Sequence, residues 1–232
     1  MELNRAELKG FAKQLLHRNY WPMVIAGLVL AIATGAIALN NGGASAASET
    51  SESISFMEGF MVLIISVASF LFWIFVMHPL EFGGARFFVK NIDGEGSGAL
   101  FSGFESANFT RSVSTLLYRD IITFLFGLLL IIPGIIKKYE YYFVPQLLSD
   151  HPELSGKDVC ELSRAMTNGR KMELFKLDLS FILWAIATSL TYGLVGVFYY
   201  FPYRYQTIAF AYRQLVEEGA DPTRPFTAPV QQ

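Results

Sequence analysis

Apolar residues in this chain gather into long runs, and the segments between the runs carry most of the charge. The runs cover residues 20–39, 56–78, 120–132, 135–148, 174–192 and 194–215. A helix needs about 20 mainly apolar residues to cross a bilayer. The pattern therefore predicts an all-α, polytopic transmembrane helical bundle with about six membrane-embedded helices. The third and fourth are each short for a full span and are separated by Pro133-Gly134, so they read as a short Pro-Gly-linked hairpin turning there. Gly193 separates the fifth run from the sixth, and Pro202 interrupts the sixth.

Amphipathic stretches that suit the membrane interface lie outside these runs. Asn4 with Glu7 resembles a capping box opening a helix to Arg18, with Leu8, Phe11, Ala12 and Leu15 on one face and Arg5, Lys9 and Lys13 on another. Those three bases are a candidate contact for anionic lipid. Residues 100–117 form a second such stretch after the turn-rich Asp93–Gly98 segment. Ser155 with Asp158 opens a third, with Gly169 as its stop. Gly27, Ala31 and Gly35 recur every four residues, a face for close helix packing within the chain. Residues 40–55, rich in Ser and Gly, read as a flexible loop. Ala44-Ser45-Ala46 imitates a signal-peptidase site, but the run before it exceeds a signal h-region, so the helix is expected to stay as an anchor. Three sections result: a juxtamembrane helix over 1–19, a transmembrane domain over 20–216 and a disordered tail over 217–232.

Composition supports the membrane class: 53% of residues are hydrophobic and 16% charged, against roughly a quarter charged in soluble chains. The net charge of −2 and the absence of a basic–aromatic motif argue against nucleic acid as a partner. One cysteine, Cys160, allows no intrachain disulfide and reads as a packing residue. Basic residues fix the orientation, because Lys and Arg near spans mark the cytoplasmic side. If the hairpin crosses out and back, all of them but Lys137, Lys138 and Arg204 fall on one face, and both termini lie in the cytoplasm of a cell-membrane protein. A re-entrant hairpin satisfies the same count.

Several stretches resemble a bacterial membrane-protein family known as domain of unknown function 975. They include Leu8-Lys9, Pro79-Leu80-Glu81, Leu100-Phe101 with Gly103-Phe104, Ile132-Pro133-Gly134-Ile135-Ile136-Lys137, Leu162-Ser163-Arg164-Ala165-Met166 and Leu177-Asp178-Leu179-Ser180-Phe181. The likeness covers about residues 3–215, with the Ser-rich loop and Pro-rich tail as departures. It implies a multi-span helical protein of the cell membrane and no particular activity.

Chemistry is sparse. His17, His78 and His151 lie far apart, and no metal, phosphate-loop, cofactor or nucleophile motif appears. His78 with Glu81 reads as interfacial polarity at a helix end rather than a metal pair. The residue that stands out is Arg204, within the sixth run. A charge there costs about 2.5–3.5 kcal/mol on insertion scales, so it should seek a carboxylate, with Glu140 and Asp178 as candidates. Arg204 thus reads as a helix-locking ion pair, as an anion-accepting polar site, or as a side chain that snorkels to the outer surface. The sequence favours a non-enzymatic interaction or structural protein with an unidentified protein partner, then a transporter or lipid-handling protein using Arg204. An enzyme comes last.

Overall fold

The computed structural model describes residues 5–33, 56–95 and 98–219, and those residues are helical with no strand among them. In order they form α1 (Arg5–Arg18), α2 (Tyr20–Ala33), α3 (Phe56–Phe72), α4 (His78–Ile92), α5 (Ser106–Leu129) and α6 (Ile131–Glu140). After these come α7 (Val144–Asp150), α8 (Gly156–Met166), α9 (Lys171–Leu179), α10 (Ile182–Leu190) and α11 (Phe201–Glu217). The predicted loop over 40–55, the imitation cleavage site, the cap at Asn4, the close-packing Gly35 and the tail from 220 onward lie outside the described residues.

Among the described residues, two helices are long and apolar enough to cross a membrane, Gly59–Ile92 and Ser106–Leu129. A third counts if Arg5–Arg18 and Tyr20–Ile32, which meet at 114°, are one broken span. The fifth and sixth runs do not pass that test. Charged residues Lys176 and Asp178 precede a break at Ser180-Phe181, which splits the fifth run into α9 and α10. The sixth run becomes a π turn at Gly196–Tyr200 followed by α11, where Gln206, Thr207, Tyr212 and Leu215 are buried in protein. Length in an apolar run did not become length in a free helix, because tertiary packing claimed part of it.

The hairpin also differs from expectation. Its turn is at Leu130, in extended backbone, while Pro133 sits in the first turn of α6. Proline is tolerated there, since a first-turn N–H has no helical partner. Gly134 serves packing instead: a Cβ on it would lie 2.5 Å from the Cα of Gly127 across the hairpin.

Two π turns carry most of the irregularity. One, Trp73–Met77, joins α3 to α4 just before Pro79; the other precedes Pro202. Proline cannot donate to the helical ladder, and a widened turn absorbs the loss. Carbonyls within these turns find side-chain donors: Tyr20 Oη donates to Phe198 O at 3.1 Å, and His78 Nδ1 lies 2.9 Å from Ile74 O.

The buried core joins one face of α1 and α2 to α4, α7, α8 and α11. In α1 the buried positions are Leu8, Ala12 and Leu16, and Phe11 is exposed, so the inward face is rotated by about one position from the expected one. Gly27 of α2 meets the Pro202 backbone inside the chain, where a Cβ would come within 2.7 Å of its nitrogen. A 3-10 turn at Ala99–Phe104 lies flat on α4, and glycines at both points of contact permit it. A Cβ on Gly83 would meet Leu100 O at 1.8 Å, and one on Gly103 would meet Pro79 O at 2.0 Å. Beyond this core, α3, the α5–α6 tip and α10 display large apolar side chains on their outer surfaces.

Candidate functional site

Arg204 leaves α11 one turn after the second π turn, and its Nη2 donates to Asp178 Oδ1 at 2.9 Å. Asp178 is near the end of α9 and also accepts from Tyr142 Oη at 2.9 Å and Tyr139 Oη at 3.2 Å. One carboxylate thus gathers α6, the segment after it, α9 and α11 at a single point. Burial of both side chains is substantial, at 21% exposure for Arg204 and 16% for Asp178.

Glu140, the other candidate partner, is not joined to Arg204 in any ion pair or hydrogen bond. It accepts from Lys137 Nζ and Lys171 Nζ, each at 2.7 Å, with Arg164 Nε 3.8 Å away. The reason is local: Lys137 stands one turn before it on α6, a spacing at which helical neighbours meet. Its backbone carbonyl accepts from Ser163 Oγ at 2.8 Å, which ties α6 to α8.

A second ionic cluster was not foreseen. Arg119 on α5 grips Glu81 of α4 through two bonds, 2.6 Å to Oε1 and 3.0 Å to Oε2, and donates through Nε to Asp120 Oδ1 at 2.7 Å. Asp120 Oδ2 lies 3.3 Å from Nε2 of the buried His78. A carbonyl only accepts, so His78 Nδ1 carries the hydrogen that faces Ile74 O. The signal was in the sequence: Arg119-Asp120 directly precedes an apolar run, where charges are costly without partners. Proximity in three dimensions makes the pairing, so His78 and Glu81, which the sequence presents as interfacial polarity at a helix end, belong to one ionic cluster with α5.

The two arginines converge. Arg119 and Arg204 both line a cavity of about 130 Å³, together with Glu81, Tyr142, Gln146 and an apolar wall that includes Leu30, Ala85 and Ile208. Gln146 Oε1 is buried there without a hydrogen-bond partner. No cluster of His, Cys, Asp or Glu suited to a metal occurs among the described residues. Cys160 is buried on α8, and burial pushes its thiol up to about 11, far from a nucleophile's range. Of the bases proposed for lipid on α1, Arg5 and Lys13 are exposed, whereas Lys9 Nζ turns inward to Ser180 O at 3.0 Å and over the Phe181 ring.

Among protein families, one model, described as a protein of unknown function (DUF975), matches residues 100–218. That stretch includes the Pro-Gly hairpin, the Leu162–Met166 segment and the Asp178 segment, and it begins after the resembling stretches at residues 8–9 and 79–81. Comparison with curated proteins and with solved structures finds no match.

Proposed function

Since the chain belongs to the DUF975 family of proteins of unknown function, whose description supplies no activity, we propose a role from the site itself: this is a non-enzymatic, multi-pass membrane protein that holds an anionic, phosphate-sized group between Arg119 and Arg204. One observation carries the proposal. Guanidinium groups from two different helices line the same small cavity. A guanidinium has five N–H donors. Glu81 and Asp120 engage three nitrogens of Arg119, and Asp178 engages one of Arg204, so donors remain for a guest. The fork of Arg119 is taken by Glu81, so the larger share of free donors belongs to Arg204, held by one carboxylate bond, and such donors suit phosphate or carboxylate oxygens.

Support for binding over catalysis comes from the carboxylates. Asp178, Glu140 and Glu81 each accept from protein cations or hydroxyls on other elements or turns, so each carboxylate is engaged in holding helices together. The apolar faces of α3 and α10 support a bilayer environment, and the distribution of Lys and Arg supports cytoplasmic termini in a cell membrane.

The test is native mass spectrometry of the full chain in nanodiscs of phosphatidylcholine with phosphatidylglycerol. Retention of phosphatidylglycerol or of inorganic phosphate by the wild type is expected. The same adduct should be lost in Ala85→Leu, which fills the cavity and leaves every charge in place. An unliganded wild type, or an adduct that persists in Ala85→Leu, would defeat the proposal.

A further inference from the structure

Five consecutive aliphatic residues form the tip of the α5–α6 hairpin. Leu128, Leu129, Leu130, Ile131 and Ile132 are each between 62% and 77% exposed. Water does not tolerate such a patch cheaply, and patches of this kind mark contact surfaces. The close approach of Gly134 to Gly127 holds the two arms together.

Length decides what this tip can reach. At 1.5 Å per residue, the 10 residues of α6 extend about 15 Å, half of a hydrocarbon core of about 30 Å. The return arm is therefore too short to bring the chain back across a whole bilayer. The outgoing arm is committed similarly: Ser112, Val113, Thr115 and Leu116 of α5 are buried, and its exposed aliphatic residues begin at Ile121, just after the Arg119-Asp120 cluster.

Charge then says what surrounds the base. Lys137 and Lys138 stand seven and eight residues beyond Leu130, about 10 Å along the axis. Lys171 and Arg164 join Lys137 around Glu140, beside a recess of about 410 Å³ that Glu161 and Asn168 also line, while the exposed Lys138 lines a neighbouring recess with Arg119 and Asp120. The three bases outnumber the two acids there, and with Lys138 on the same helix they make a cationic collar below an apolar tip. Lys137 is further held over the Phe126 ring at 5.0 Å.

We infer that the α5–α6 hairpin inserts its tip into a single leaflet and returns to the side it left, with its lysine collar on anionic lipid phosphates. This inference is independent of the cavity at Arg204. It also relieves the orientation problem, since Lys137 and Lys138 then join the other bases on one face.

The test uses the full chain with Cys160→Ala and single cysteines at the exposed positions Ile131, Lys138 or Lys157. In cells, an impermeant maleimide is expected to label positions 138 and 157 only after the membrane is opened, and to miss 131 until detergent is added. Labelling of 138 in intact cells while 157 stays protected would establish a full crossing and overturn the inference. So would labelling of 131 without detergent. In vesicles, a fluorophore at 131 should be quenched more by nitroxide near the lipid chain ends than by nitroxide at the headgroup. That quenching should be stronger in phosphatidylglycerol than in phosphatidylcholine, and the difference should shrink in Lys138→Glu. Equal quenching in the two lipids would overturn the phosphate contact.

Discussion

At Asp178 a single carboxylate receives an arginine and two tyrosine hydroxyls, so its removal should cost far more than a surface pair would. Breaking a buried pair by deleting one partner typically costs about 3–5 kcal/mol, because the other charge is stranded. Asp178→Ala should therefore lower Tm strongly in detergent. Asp178→Ala combined with Arg204→Met should recover much of the loss, and simple additivity in the four-member cycle would show that the pair is not coupled. Arg204 was legible from sequence as a charge in an apolar run. The choice of Asp178 over Glu140 was not, because Lys137 and Lys171 had already satisfied Glu140 through contacts that only folding creates. Cys160 follows the simpler rule. Its buried thiol, shifted to about 11, should resist maleimide at neutral pH until the protein is unfolded, and rapid native labelling would contradict its burial.

Among elements, the hairpin and α8 are contrasting cases. The sequence placed a hairpin where one exists but put its turn at Pro133-Gly134, since those are the usual chain breakers. Leu130 takes the turn, and Gly134 is reserved for close packing. Gly134→Val should thus loosen the hairpin, read as faster hydrogen exchange over 121–140, whereas Gly127→Ala should leave exchange unchanged because a Cβ there meets nothing within 4 Å. For α8 the signals were local and sufficient. Ser155 and Asp158 form a reciprocal capping box, and Gly169 adopts φ +78° near its end. Ser155→Ala should weaken that helix by about 1 kcal/mol, visible as reduced exchange protection across Gly156–Met166.

On the scale of the whole molecule, a buried amide chain links distant segments. Asn19 Nδ2 donates to Asn91 Oδ1 and Asn91 Nδ2 to Gln206 Oε1, both at 2.9 Å, and Gln206 Nε2 donates to Phe88 O at 3.2 Å. These bonds fasten the start of α2, the end of α4 and the middle of α11. Gln206→Leu would leave Asn91 short of an acceptor inside the core, a loss of about 1–3 kcal/mol. Its Tm should fall accordingly, and an unchanged Tm would show that water replaces the bond.

Composition and run length determined on their own that the chain is helical and that some helices suit a bilayer. Those properties depend on the transfer of individual side chains out of water, which is nearly additive along a sequence. The number of full-length apolar helices, the turn at Leu130, the partner of Arg204 and the convergence of Arg119 with it were decided by tertiary structure alone. Each depends on which surfaces meet, and on whether a charge or a glycine is already used by a neighbour remote in sequence. No one-dimensional pattern carries that information.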